Sequence, residues 1–165
     1  MSLTISQTQR ITDYFRSFIG KPAWDVELGE GSFLTLEFGE SVVQSETDRK
    51  LHGTGHLWVY CCAWRIETLD DVLAYSEDER SRLASIVHVL NGKSLESVEI
   101  NFPHGDTLLH FSGRLILRLI PIHSQTYEHW MLYAPEGVLV FGPGTEWQFE
   151  RAIVAPQSIT SSPLI

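Results

Sequence analysis

Cysteine is nearly missing from this chain of 165 residues, and the two that occur, Cys61 and Cys62, are adjacent. Neighbours on a strand point to opposite faces, so a bond between them would need a distorted backbone. No CxxC pair offers zinc or thioredoxin-like chemistry. The flanking Trp58-Val59-Tyr60 and Ala63-Trp64 make the two thiols small buried hydrophobes, at home in a reducing cytoplasm. Positive charge is scarce too: 12 Lys and Arg stand against 21 Asp and Glu, for a formal charge of −9. With no basic cluster to offset that locally, nucleic acid and anionic membranes are excluded as expected partners. A basic protein is the electrostatically acceptable partner, and self-association is the other expectation. Long apolar runs are also missing. Nothing approaches the roughly 18–20 residues of a membrane span, and Met1–Ile19 has no basic flank leading into an apolar core, so neither a span nor a signal peptide is expected.

What is present is a core. Hydrophobic residues make up 43% of the chain, including five Trp, five Tyr and eight Phe. That is enough apolar surface to fold one α+β domain, expected over residues 1–155, with a Ser- and Pro-rich loose tail at 156–165. Ile11, Tyr14, Phe15 and Phe18 share a helical face within Ser6–Ile19, and Gly20 and Pro22 stop it. Leu83, Ile86, Val87 and Leu90 do the same for a second helix over Glu77–Leu90, with Ser76 and Glu79 forming a capping box. Alternating stretches joined by close turns predict antiparallel strands: Ala23–Leu28, Phe33–Phe38, Leu95–Phe102, Thr107–Ser112, Arg114–Ile122, His129–Tyr133 and Gly137–Phe141. His56–Ile66 is apolar on both faces and reads as one central strand. Asp70–Tyr75 reads as a turn of helix and Val42-Val43 as a short strand.

The two halves share landmarks in one order. Each helix ends in Gly-Lys, at Gly20-Lys21 and Gly92-Lys93. Then come Val26-Glu27-Leu28 against Val98-Glu99-Ile100, Leu36-Glu37-Phe38 against Leu109-His110-Phe111, and the His-x-x-x-Tyr segments His56–Tyr60 and His129–Tyr133. This predicts a duplicated helix-plus-hairpins unit, residues 6–66 and 77–141, with His56 in the place of His129.

Catalytic constellations are lacking. There is no G-x-S-x-G, no HExxH and no phosphate loop; Gly53-Thr54-Gly55 and Gly142-Pro143-Gly144 read as turns. Seven His invite a metal reading, but His52 and His56 fall on a loop entering a strand, and no three ligands have a recognised spacing. No catalytic residue, metal or cofactor is therefore expected. Arg65 and Arg118 interrupt apolar strands and must be paired, with Glu67, Glu37 or Glu99 as candidates, or line a wet cavity. Trp58, Trp64 and Trp130, beside Arg65, Arg118 and His110, are the side chains from which a binding surface would be built.

The pattern Gly92-Lys93-x-Leu95-x-x-Val98-x-Ile100, followed by Thr107-Leu108-x-x-Phe111 and Arg114-Leu115-x-Leu117, resembles the β-rich part of small bacterial proteins, several of them similar to immunity proteins of toxin systems. The resemblance covers residues 88–120 and brings no catalytic residues. It implies a non-catalytic protein acting by protein–protein contact. The second reading is a small-molecule-binding domain or enzyme, with a pocket between the halves lined by Arg65, Arg118, His110 and the Trp side chains.

Overall fold

The computed structural model describes residues 6–43 and 51–152; the tail expected at 156–165 lies outside them. Helix α1 (Gln7–Thr12) runs on as a 3-10 segment, Asp13–Phe18, and α2 (Arg80–Ile86) does the same over Val87–Leu90. The strands are β1 (Trp24–Leu28), β2 (Leu34–Val43), β3 (Leu51–Val59), β4 (Cys62–Glu67), β5 (Val72–Tyr75), β6 (Leu95–Asn101), β7 (Asp106–Phe111), β8 (Leu115–Pro121), β9 (Trp130–Ala134), β10 (Gly137–Phe141) and β11 (Trp147–Arg151). They form a six-stranded sheet, β1-β2-β3-β9-β10-β11, and a five-stranded one, β5-β4-β8-β7-β6. Every pair is antiparallel, as the close turns require. The fold is α+β. None of the described helices is long and apolar enough to cross a membrane.

Each helix leads into a three-stranded meander, β1–β3 or β6–β8. The chain then crosses over and adds its next strands to the other meander's sheet. The two meanders also meet at their starts. Around the bridge between Pro22 and Ser94, Gly20 donates to the Leu95 carbonyl (2.7 Å) and Gly92 to that of Ala23 (2.8 Å). Leu95 donates to Lys21 (3.0 Å) and Ala23 to Lys93 (2.9 Å). Both Gly residues have positive φ, +85° and +80°, which releases the chain from the helical segment into the strand.

The core lies between the sheets. Leu34, Leu36, Phe38, Leu57 and Val59 face Trp64, Ile66, Leu109, Phe111, Leu117 and Leu119. Phe38 and Phe111 stack across the gap at 6.3 Å. The helical segments bury Ile11, Phe15 and Phe18, and Leu83, Val87 and Leu90, in the same cluster.

Several sequence expectations are corrected. His56–Ile66 is two strands, not one. At Tyr60-Cys61 the chain leaves one sheet for the other, and the inward positions shift phase from Leu57 and Val59 to Cys62, Trp64 and Ile66. That shift mimics a strand apolar on both faces. Val42-Val43 is the end of β2, and Val72–Tyr75 is strand rather than helix. Ser76 does not cap α2. It is buried, and its Oγ accepts from the Trp64 amide (3.1 Å) while its own amide donates to the Trp64 carbonyl (2.8 Å), extending the β4–β5 ladder. Glu79 holds the N-cap place without a side-chain bond. Trp147–Arg151 is an additional strand, at the edge of the six-stranded sheet.

His56 and His129 do not occupy corresponding places. His56 lies within β3 and His129 just before β9, and these strands pair with each other, His56 opposite Tyr133. The Tyr60 amide donates to the His129 carbonyl (2.9 Å). The two His-x-x-x-Tyr segments thus run antiparallel against one another instead of standing in for one another. The residues with like surroundings are Trp64 and Trp130. Each is fully buried, and each indole N–H reaches toward the opposite meander, Trp64 to the Ser32 carbonyl (2.7 Å) and Trp130 to Thr107 Oγ1 (3.2 Å).

Candidate functional site

The residues singled out by sequence divide among three places. Arg65, Arg118 and His110 do share a surface, the outer face of the five-stranded sheet. Arg65 stands opposite Arg118 on β4 and β8, and Arg118 opposite Leu108 on β7. Trp64 and Trp130 face the other way, into the core, and are closed to any ligand. Trp58 is on the outer face of the six-stranded sheet, opposite Met131. These residues line no common pocket, because the layer between the sheets is filled by the core itself.

Both arginines are paired, and Glu67 pairs them. Arg118 donates through Nε (2.7 Å) and Nη2 (3.2 Å), and Arg65 through Nε (3.1 Å). The Arg118 hydrogen bond is the largest influence on Glu67; together with the charges of both arginines it outweighs burial and holds the carboxyl below its ordinary 4.5. The same bond raises Arg118. Since Glu67 is lowered by folding, its contribution is complete above its ordinary pKa and disappears as pH falls through the folded value. The three side chains keep 12–35% of their surface exposed, so Glu67→Gln should cost about 1–3 kcal/mol, below the 3–5 of a fully buried pair. Arg65→Met should cost less than about 1 kcal/mol. Urea unfolding at neutral pH checks the order; equal losses would mean that Glu67 is not the hub. His110 Nε2 lies 2.9 Å from the Glu99 carboxylate but is not aligned for a hydrogen bond.

A different cluster occupies the outer face of the six-stranded sheet. Glu37 on β2 is directly opposite His56 on β3. It is 2% exposed. His56 Nδ1 lies 2.5 and 2.8 Å from its two oxygens, His52 Nδ1 lies 2.9 Å from Oε1, and the Gly53 amide donates to Oε2 (3.2 Å). Burial pushes this carboxyl up, but hydrogen bonding and charge from His56, then the bonds from His52 and Gly53, bring it below the ordinary value.

Backbone geometry makes the convergence. Four residues along a flat strand would separate two side chains by about 13 Å, yet the two imidazole centroids are 5.0 Å apart. The register between β2 and β3 slips between Phe38 and Ser41, so that Gly39 and Glu40 stand opposite Thr54 alone. Gly39 has φ +76°, the left-handed conformation that bends a bulged strand. On β3, a Cβ at Gly53 would come within 2.3 Å of the Phe38 carbonyl oxygen, and one at Gly55 within 2.6 Å of the Phe18 ring. His52-Gly53-Thr54-Gly55-His56 is thus a coiled part of a strand, not the turn and loop expected from its glycines.

This cluster opens on a cavity of about 560 Å³ lined by Val42, His52, Gly53, Thr54, His56, Trp58, Tyr133, Ala134 and Pro135. Tyr133 packs edge-on to His56 at 5.7 Å, and beyond Trp58 an aromatic row continues to Tyr60 and Phe33. The sequence carries one signal for the site, two His four apart separated by alternating glycines, but glycines so spaced read equally as a turn.

The thiols are unremarkable: both are free, and burial drives Cys62 up to about 12. His129 is fully buried. Its Nε2 accepts from the His123 amide (3.3 Å), so its proton is on Nδ1, which has no partner among the described residues. Burial lowers its pKa and keeps it neutral. Comparison with protein-family models, with curated proteins and with solved structures finds no match to this chain.

Proposed function

We propose that this chain is a non-catalytic binding protein that engages a basic protein partner through the outer face of its six-stranded sheet. One observation carries the reading: aromatic and acidic side chains share that face without a strand position given to Lys or Arg. Thr35, Glu37, His56, Trp58, Met131, Tyr133, Val138, Val140, Gln148 and Glu150 alternate outward across β2, β3, β9, β10 and β11. Trp58 is half-buried, and Tyr133 is 37% exposed. Large, stiff aromatic groups gain contact area at little entropic cost, and the exposed Glu150 on β11 adds negative charge at the edge of the face. The net charge of −9 acts in the same direction. The pocket alternative loses its residues, because Arg65 and Arg118 are held by Glu67 and two of the Trp side chains are core.

The test is crosslinking in the native cell followed by purification of the full chain. The wild-type protein should retain a basic partner whose capture weakens with added salt. Trp58→Asp, with an unchanged circular-dichroism spectrum, should reduce that capture at least tenfold, whereas Arg65→Met, on the other sheet, should leave it unchanged. Equal capture by wild type and Trp58→Asp would defeat the reading.

A further inference from the structure

We infer that Glu37, His52 and His56 form a binding site for one divalent first-row transition metal ion of the zinc type, open toward the adjoining cavity. One donor atom from each of these residues lies within 4.8 Å of the other two. Tetrahedral bonds of about 2.0–2.1 Å, the geometry zinc prefers, place neighbouring ligand atoms about 3.3–3.4 Å apart. His52 Nδ1 lies 2.9 Å from Glu37 Oε1, and His56 Nδ1 lies 2.5 Å from Oε1 and 2.8 Å from Oε2, so both imidazoles need to move away from the carboxylate by less than about 1 Å to admit an ion.

Charge argues in the same direction. Glu37 is a buried carboxylate, and removing such a charge from water is costly unless a counter-charge or several hydrogen bonds replace the water. Among the described residues its ionic partners are the two imidazoles, with no Lys or Arg. A divalent cation between the three groups would replace the two imidazole contacts with a full counter-charge, while the Gly53 amide keeps its bond to the carboxylate. Two imidazoles and one carboxylate suit zinc, iron, cobalt or nickel far better than calcium or magnesium, which prefer oxygen ligands.

The scaffold fits a preformed site. Two ligands come from one strand coiled at Gly53 and Gly55 and the third from its paired neighbour, so all three are held by the β2–β3 ladder beside its bulge. The Gly53 amide orients the carboxylate at 3.2 Å, the kind of outer contact that fixes a ligand's direction. Three protein ligands leave coordination positions free, and the cavity beside Trp58 and Tyr133 gives an external donor access to them. Of the two grounds for expecting no metal, β3 removes the placing of His52 and His56 in a loop, and strand pairing answers the lack of a recognised spacing by bringing Glu37 in from β2. Metal uptake is a property of the isolated chain, so it stands or falls independently of the protein-partner reading.

The experiment titrates Co²⁺ into the full chain, purified without a polyhistidine tag and stripped with chelator, following the visible d–d absorption, with Zn²⁺ as competitor. One Co²⁺ should bind per chain and be displaced by Zn²⁺. His52→Ala and His56→Ala should each weaken binding at least tenfold, while His104→Ala, an exposed imidazole elsewhere, should not. If His56→Ala fails to fold, His52→Ala decides, because His52 is near the start of its strand. Absence of saturable binding by the wild type, or undiminished binding by the folded His52→Ala protein, would overturn the inference.

Discussion

Trp130→Ala should cost about 3–5 kcal/mol, the range of a large aromatic truncation in a closed core, against total stabilities of about 5–15 kcal/mol for domains of this kind. Trp130 is 1% exposed. Its ring stacks on Phe141 at 5.2 Å and meets Phe15 edge-on at 5.7 Å, so it ties β9 both to β10 and to the first helical segment. Its indole N–H, bonded to Thr107 Oγ1, also spans the two sheets. Truncation therefore removes packing on two sides and strands a buried hydroxyl. Trp130→Phe separates the effects. It keeps most of the packing and loses the hydrogen bond, and should cost about 1–3 kcal/mol. Urea unfolding of the three proteins measures both. A loss under about 1 kcal/mol for Trp130→Ala would mean that the ring is not a central packing element.

Gly53→Ala should be nearly as damaging, although it adds one methyl group. The new Cβ would lie 2.3 Å from the Phe38 carbonyl oxygen, 2.9 Å from the Phe38 nitrogen and 2.9 Å from the Gly55 oxygen. All three are backbone atoms, so no flexible side chain can give way, and β2 and β3 must part at the bulge. The expected cost is at or above the roughly 1–3 kcal/mol of ordinary overpacking. Gly31→Ala is the control. Nothing lies within 4 Å of its added Cβ, and only its φ of +57° resists, so it should cost about 1 kcal/mol. Thermal unfolding of the two variants should rank them in that order. The reverse order would mean that β3 has room at Gly53 and that the close approach to Phe38 is not what coils it.

Local chemistry made much of this molecule legible from sequence. A face repeating every 3–4 residues marked both helical segments, because one side of a helix must be buried. Alternation in Leu34-Thr35-Leu36-Glu37-Phe38 and again in Leu115–Leu119 marked strands with one face in the core, and close turns fixed them as antiparallel. The need for a partner at Arg65 and Arg118 was equally readable from two charges in apolar strands, but the choice of Glu67 among three carboxylates was not. That choice depends on which strand lies beside which, and β4 pairs with β8, a strand far along the sequence, with Arg65 opposite Arg118 and Glu67 opposite Ile116.

The candidate site was illegible for the same reason. Glu37 and His56 face each other only once β2 and β3 have paired in one register, and His52 joins them only because a bulge and two glycines coil the strand. Hydrophobic pattern carries no record of such a bend. Nor does it record a crossover: where the chain changes sheets at Tyr60-Cys61, the inward face changes phase and two one-sided strands look like one two-sided strand. By itself the sequence determined an acidic α+β chain of antiparallel strands with an aromatic core, since those features follow from composition and short-range period. Tertiary structure alone decided that each meander lends its next strands to the other, that Trp64 and Trp130 are buried between the sheets, and that a carboxylate and two imidazoles meet beside a cavity, because each depends on contacts between residues far apart in the chain.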